Sequence, residues 1–368
     1  MNPKRIRLLV VDDSAVARKV LTDSLSKEAD IEVIGTAPDP YVARDKILEL
    51  NPDVITLDLE MPRLDGISFL RLLMKHRPMP VIVLSSLTQD GSAMALEALQ
   101  AGAVDVMGKP NGSNSASAED GRLADKVRMA AGARVRPPVE PVVRPPVART
   151  AEAGRNGARR FVGREVILIG SSTGGTEALK EVLMPLRSDV PGICIVQHIP
   201  AKFSQALADR LNSLCQIEVR EAADGDRVAP GLALLAPGGK HMLLHWSGGQ
   251  YQVRLTEGPP VHHQRPAADV LFDSAVKAGA GSHALAIVLT GMGSDGAEGM
   301  LRLRNGGAST IAQNEETCVV FGMPREAIRR GAVQQVLPLG QISRAIERHA
   351  DTMALPAIMT PSVAAAAV

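Results

Sequence analysis

Apolar residues in this chain come in short runs, and most runs stop at a polar residue before helical spacing begins. Ile6–Val11 is the first; it ends in Asp12-Asp13-Ser14, after which Val16, Val20, Leu21 and Leu25 recur at helical intervals. Residues 31–36 and 53–57 read as the next two strands, with a helix over residues 40–50 between them, and the later strand closes on Asp58. Pro78-Met79-Pro80 introduces a fourth run at residues 81–84, which stops at Ser85-Ser86. A helix through Met94, Leu96 and Leu99 leads to a fifth run at residues 104–107, just before Lys109-Pro110. Residues 122–131 complete the unit as a helix with Leu123, Val127 and Ala130 on one side. This alternation predicts a parallel sheet with helices on both faces.

In a doubly wound sheet the C-terminal strand ends converge, and the polar groups Asp12, Asp13, Asp58, Ser85 and Lys109 all lie at such ends. Three carboxylates brought together repel one another unless a cation sits between them, and hard oxygen donors favour Mg²⁺. Lys109 supplies a charge for a carboxylate or a phosphoryl oxygen. A single acidic loop residue is ordinarily a cap or solvated surface; the coincidence at several strand ends argues for a site.

Composition changes sharply after residue 132. Residues 133–159 are rich in Pro, Arg, Ala and Gly, carry the pairs Pro137-Pro138 and Pro145-Pro146, and show neither helical nor strand period. They read as a semi-extended tether, with a ligand for a proline-binding domain as the alternative. The expected organisation is a first domain over residues 1–132, this linker, a second domain over residues 160–355 and a disordered Ala-rich tail over residues 356–368.

The second domain opens on Val166-Ile167-Leu168-Ile169, which runs into Gly170-Ser171-Ser172-Thr173-Gly174-Gly175 and a helix-forming segment. Gly170-x-Ser172-x-Gly174 fits a nucleophile elbow, a turn that presents the serine hydroxyl. The same turn could bind an anion at the helix N-terminus, or merely cap the helix with Ser or Thr. Residues 193–196 form a buried strand ending in Gln197-His198, and Pro200 opens a helix carrying Phe203, Leu207 and Leu211. Shorter, more polar strands follow at residues 218–220, 232–235, 242–246 and 251–255, the last two joined by Ser247-Gly248-Gly249-Gln250 as a hairpin. A helix from Pro266 precedes a buried strand at residues 284–289, which ends in Thr290-Gly291-Met292-Gly293-Ser294-Asp295-Gly296.

Ser172, His198 and Asp295 thus each follow a separate apolar strand on one sheet edge, as a hydroxyl, a base and an orienting acid require. Their chain order differs from the Ser, Asp, His order of α/β-hydrolases. A binding module that holds a nucleotide phosphate on the Gly170 to Gly175 turn is the competing class, but G-x-G-x-x-G and the ribose-binding acid are missing. His241, His245, His262 and His263 match no standard metal spacing and have no cysteine partners.

Bulk composition narrows the partners. Lys+Arg 41 against Asp+Glu 40 leaves +1, which gives no broad field for nucleic acid or a membrane surface. Aromatic residues are 2% with Trp246 the single tryptophan, too few for an RNA-stacking platform. Cys194, Cys215 and Cys318 form no C-x-x-C pair and read as reduced, buried thiols. The N-terminal apolar run is too short for a secretion signal or a membrane span, so a cytoplasmic protein without membrane insertion is expected.

Residues 1–132 resemble a response-regulator receiver domain. The resemblance implies that Asp58 accepts a phosphoryl group, that Asp12 and Asp13 hold Mg²⁺ with it, that Ser85 is the switch hydroxyl, and that Lys109, in a pair with Pro110 that usually has a cis bond, contacts the phosphoryl group. Val106 stands where many receivers carry a switch aromatic. The segments at Ile169 to Gly175, Gln197-His198, Thr290 to Gly296, Ile311-Ala312-Gln313-Asn314 and Phe321-Gly322-Met323-Pro324 resemble the chemotaxis-receptor methylesterases. Together the two resemblances imply an α/β chain of two doubly wound parallel-sheet domains: a flavodoxin-like receiver and a Rossmann-like methylesterase domain with an added β-hairpin region. They imply a Ser172-His198-Asp295 triad that hydrolyses glutamate methyl esters and deamidates glutamines, with Thr173 and Met292 N–H groups as oxyanion donors and no cofactor for ester hydrolysis. The implied partners are chemoreceptors as substrate and a chemotaxis histidine kinase as phosphoryl donor.

Overall fold

Five parallel strands, β1 (Ile6–Val11), β2 (Ile31–Ala37), β3 (Val54–Asp58), β4 (Val81–Ser85) and β5 (Asp105–Gly108), form the N-terminal sheet in the order β2-β1-β3-β4-β5. The structure is a computed structural model that describes residues 5–61, 65–85, 89–109, 116–135, 159, 161–201 and 203–354. Helices α1 (Ala15–Leu25), α2 (Pro40–Leu50), α3 (Gly66–His76), α4 (Gln89–Gln100) and α5 (Ala116–Ala131) link and flank the strands. Strand order reverses between β1 and β3, so Asp12 and Asp58 stand at the switch point where such sheets hold their ligands. The expected doubly wound fold is present.

Local chemistry starts the helices where the pattern expects them. Asp39 caps α2 by accepting from the N–H groups of Tyr41 (2.9 Å) and Val42 (3.0 Å), and Pro40 occupies a first-turn position whose N–H has no helical partner anyway. Helix α3 lies between two expected strands where no helix was expected. Its signal is present in the Asp65 cap and in buried Ile67, Leu70, Leu73 and Met74 at helical spacing. Gly66 is needed at its start, since a Cβ there would lie 2.4 Å from the Asp58 carbonyl oxygen. Pro110, and with it the expected cis bond, lies outside the described residues.

The second sheet has seven strands, all paired in parallel, in the order β14-β13-β12-β6-β7-β9-β8. These are β6 (Val166–Ser171), β7 (Gly192–Gln197), β8 (Glu218–Glu221), β9 (Leu232–Leu235), β12 (Ala284–Val288), β13 (Ser309–Gln313) and β14 (Gln335–Leu337). Two of the short polar strands, β8 and β9, therefore extend the parallel sheet. Only β10 (His241–Ser247) and β11 (Gln250–Thr256) make the expected antiparallel hairpin. Gly248 (φ 58°) and Gly249 (φ 79°) take the left-handed conformation its two-residue turn demands. Helices α6 (Gly175–Leu183), α7 (Phe203–Leu214), α8 (Ala268–Lys277), α9 (Ala297–Asn305), α10 (Met323–Arg329) and α11 (Leu339–Met353) cover the sheet.

Alternate residues of β6 and β7 feed the two cores, as the period-2 geometry of a strand requires. Ile167, Ile169, Ile193 and Ile195 pack with Leu179, Leu183 and Leu207 on one face; Val166, Leu168, Cys194 and Val196 pack with Leu271, Phe272 and Met300 on the other. All three cysteines are free and buried, and burial pushes the Cys194 thiol up to about 12. No described helix is long and apolar enough to cross a membrane.

The domains meet at the edge that carries the Ser172 turn. Leu96 of α4, 5% exposed, belongs to the core cluster of the second domain rather than to that of its own. Phe203 and Ile199 pack in return against the receiver's core. Arg134 N–H donates to the Val319 carbonyl (3.0 Å), and its guanidinium meets the Glu315 carboxylate at 2.8 Å. At the other end of the linker, Arg159 is tied to Asp189, Glu347 and Asp351. Residues 136–158 and the tail from residue 355, with the expectations placed on them, lie outside the described residues.

Candidate active site and phosphoacceptor pocket

Ser172 follows β6 on a turn that glycine makes possible. Gly174 (φ 76°) is the N-cap of α6 and no side chain caps that helix, so the capping explanation of the Ser and Thr residues is set aside. A Cβ on Gly291 would lie 2.6 Å from the Ser172 Cβ and 2.5 Å from the Met323 Sδ; its absence lets the two glycine-rich turns touch. Backbone bonds lock them together: Ser172 N–H donates to the Thr290 carbonyl and His198 N–H to the Ser171 carbonyl, each at 3.0 Å.

Gln197 and Gln313 hold these turns in place, a role that the motifs alone do not reveal. Gln197 Nε2 donates to the carbonyls of Ser172 (2.8 Å) and His198 (3.0 Å), while its Oε1 accepts from the Ser171 hydroxyl (2.7 Å). Gln313 Oε1 accepts the Thr290 N–H at 2.8 Å, and the Thr290 hydroxyl donates to the Thr173 carbonyl at 2.9 Å. Both glutamines end apolar strands, which is the signal that could have found them.

His198 Nε2 lies 2.7 Å from Asp295 Oδ2, with the two side chains 4% and 2% exposed. The Asp295 carboxylate also accepts the N–H groups of Ala268 (2.6 Å) and Asp269 (2.9 Å), the first two residues of α8, so it sits against the positive end of that helix. Burial by itself raises the Asp295 carboxyl, but the His198 hydrogen bond and charge and these N–H groups outweigh it and hold it below the usual carboxylate range. An ionised carboxylate only accepts, which places the imidazole proton on Nε2. Nδ1 is buried with no hydrogen-bond partner among the described residues. Neither the Thr173 N–H nor the Met292 N–H finds a protein acceptor among them. The histidines at positions 241, 245, 262 and 263 are not brought together as one ligand set among the described residues. His241 Nε2 contacts the Pro259 carbonyl (3.0 Å) and His262 Nε2 the Asp269 carboxylate (3.0 Å).

In the receiver, Asp12, Asp58 and Ser85 are 1%, 0% and 0% exposed. Asp12, Asp13 and Asp58 present carboxylate oxygens within 4.8 Å of one another. Lys109 Nζ stands 2.8 Å from Asp58 Oδ2 and 3.4 Å from Asp12 Oδ2, yet neither oxygen has a hydrogen bond of ordinary geometry among the described residues. Burial lowers the lysine's proton affinity, but the two carboxylates more than offset this and keep Lys109 above its usual value. These buried oxygens with unused lone pairs fit a hard divalent cation. Val106, at the position of the usual switch aromatic, is buried at 4% exposure in β5.

A doubly wound sheet with an acidic pocket, joined to a second α/β domain with a hydroxyl, imidazole and carboxylate on one edge, defines a response regulator with an enzymatic output domain. Family models agree: one described as response regulator receiver domain matches residues 8–118, and one described as CheB methylesterase matches residues 167–346. A protein-glutamate methylesterase/protein-glutamine glutaminase of Syntrophus aciditrophicus is 54% identical over 94% of this chain and 99% of its own. One of Geobacter metallireducens is 52% identical over 94% and 96%. The crystal structure of the Thermotoga maritima CheB methylesterase catalytic domain is similar at 38% identity with TM-score 0.49, covering 50% of this chain and 97% of that one. The chain belongs to the protein-glutamate methylesterase/protein-glutamine glutaminase family.

Proposed function

We propose that this chain demethylates glutamate 5-O-methyl esters and deamidates glutamines on chemoreceptors in the cytoplasm, with Ser172 as nucleophile, His198 as base and Asp295 as its orienting acid. The observation that carries the reading is the 2.7 Å His198–Asp295 pair. It commits Nε2 and leaves buried Nδ1 as the ring nitrogen that takes the Ser172 proton. Ser172 Oγ attacks the ester carbonyl carbon, and the oxyanion settles against the N–H groups of Thr173 and Met292, each worth roughly 3 kcal/mol by analogy with other oxyanion holes. His198 then returns the proton to the leaving methoxide, or to the leaving amine when the substrate is a glutamine. Water enters by the same base and frees the acyl group from Ser172. Ser172→Ala tests this directly: methanol release from methylated receptor should disappear while far-ultraviolet circular dichroism is unchanged. A variant that still releases methanol would refute the assignment.

Regulation follows from the receiver. Asp58 is the phosphoacceptor, fed by a chemotaxis histidine kinase, with Lys109 and Ser85 placed to contact the phosphoryl oxygens. Asp12, Asp13 and Asp58 would hold Mg²⁺, which when bound offsets the negative charge that gathers during phosphoryl transfer. In the resting state the receiver covers the substrate edge. Thr173 Oγ1 donates to Asp105 Oδ2 at 2.9 Å, so a receiver strand is bonded to one of the oxyanion turns. Asp105 and Lys109 stand at the start and just past the end of β5. Phosphorylation replaces the single carboxylate charge of Asp58 by the roughly two charges of an acyl phosphate beside Lys109, and repositioning of β5 and α4 loosens this contact. We place the domain limits at residues 1–132 and 160–355 with residues 133–159 as the tether.

A further inference from the structure

Two helix N-termini and two carboxylates are cross-connected behind His198. Asp295, which precedes α9, accepts the first N–H groups of α8; Asp269, in the first turn of α8, accepts the Gly299 N–H of α9 at 2.7 Å. Gly299 must lack a side chain for this, because a Cβ would stand 2.6 Å from the Phe272 Cβ and 3.1 Å from Asp269 Oδ1. Asp269 is 4% exposed, and its carboxylate lies within 4.8 Å of that of Asp295. Two buried like charges this close repel unless a cation or proton intervenes.

The compensating group is an imidazole. His262 Nε2 meets Asp269 Oδ2 at 3.0 Å, and its ring reaches the surface with the side chain 39% exposed. His262 (φ 51°) and His263 (φ 61°) both occupy the left-handed region, in a turn closed by reciprocal Val261–Gln264 hydrogen bonds of 3.0 and 2.8 Å. Non-glycine residues held there are strained, and such strain points to a side chain that must be aimed. We propose that Asp269 and His262 form a second acid–imidazole pair that positions Asp295 and sets the basicity of His198. Asp269 and His262 touch no substrate; they act through the triad acid. The proposal rests on the triad reading above.

Other charges near the pair are engaged elsewhere. On α9, Arg302 is bonded to Asp273 (2.6 Å), Glu298 pairs with Arg330, and Arg304 donates to the Gly331 carbonyl. On β10, His241 contacts the Pro259 carbonyl and His245 is exposed. Within the loop, Arg265 donates to the carbonyls of Glu257 and Gly258, and His263 is exposed. Asp269 is coupled by charge to Asp295 and His262, with Arg302 feeling it more weakly, so its influence on His198 passes through Asp295.

The test is a histidine titration of the full chain by nuclear magnetic resonance, with a pH–rate profile for methanol release beside it. Asp269→Asn keeps an oxygen for the Gly299 N–H and removes the charge. Both the His198 and His262 ring midpoints should then fall, that of His198 by about one pH unit, and the acid limb of the rate profile should move to lower pH with them. His262→Gln should alter the His198 midpoint in the native background and leave it unchanged in the Asp269→Asn background. An unmoved His198 midpoint in Asp269→Asn, or a His262→Gln effect of equal size in both backgrounds, overturns the proposal. The ring titration needs no turnover, so a failure of the esterase reading is distinguishable from a failure of this one.

Discussion

Replacing Leu96 by alanine is expected to raise basal ester hydrolysis without any phosphoryl donor. Leu96 sits on receiver helix α4 but is buried, at 5% exposure, in the core cluster of the second domain with Ala178, Leu179, Leu207 and Leu211. Undocking returns this side chain to water, so its burial stabilises the docked state and contributes little to the receiver itself. Leucine to alanine removes three carbons, about 2 kcal/mol of transfer free energy at roughly 0.8 kcal/mol per methylene. That is roughly a 30-fold shift of the docking equilibrium toward the open form. If the resting enzyme is almost entirely docked, methanol release from methylated receptor should rise by up to the same factor, capped at the rate of the fully phosphorylated native chain. The assay is methanol release with and without a small acyl-phosphate donor, and the donor's remaining stimulation should shrink as the basal rate rises. A variant that takes up phosphoryl normally yet shows native basal activity would mean that the receiver does not act by covering the active-site edge.

Asp295→Asn should cut kcat by roughly 10³- to 10⁴-fold with little change in KM, because the imidazole loses its orienting and charging partner; steady-state kinetics would show a proportional KM change if the residue served substrate binding instead. Asp58→Asn should leave the basal rate intact and abolish stimulation by the acyl-phosphate donor, and retained stimulation would move the phosphoacceptor elsewhere. Burial holds the His349 imidazole below its ordinary value, so on acidification the unfolded chain takes up that proton first. Its contribution to stability therefore begins to be lost as the pH falls below the unfolded histidine value of about 6.5 and goes on falling toward the lower folded value, so His349→Gln should flatten the fall of the thermal midpoint below about pH 6.5. Equal slopes for variant and native chain would show that this histidine is not coupled to folding.

Much of the architecture was legible because its signals are local. The run Ile6–Val11 and the helix over residues 40–50 appear in the structure with those same bounds, since alternation, a cap and a proline lie within a few residues of one another. Helix α3 carries an equally local signal in its cap and its apolar spacing. Strands β8 and β9 were readable as strands but not as members of the parallel sheet, because a four-residue segment does not encode its neighbour.

For the site, the sequence determined which groups end the strands. Ser172, His198 and Asp295 are each fixed to the end of an apolar run, as are Asp12 and Asp58, and parallel pairing then carries all of them to one edge of their sheet. Tertiary structure alone decided how they face one another. It chose Nε2 of His198 for Asp295, put the N-terminus of α8 behind that acid, bonded Gln197 to both Ser171 and Ser172 of the neighbouring turn and set Asp105 of one domain on Thr173 of the other. Asp105 and Thr173 are 68 residues apart, and His198 and Asp295 are 97 apart. Hydrogen bonds between such residues depend on ring orientation and on tenths of an ångström. Those come from the packing of the cores beneath the two sheets, not from any pattern along the chain.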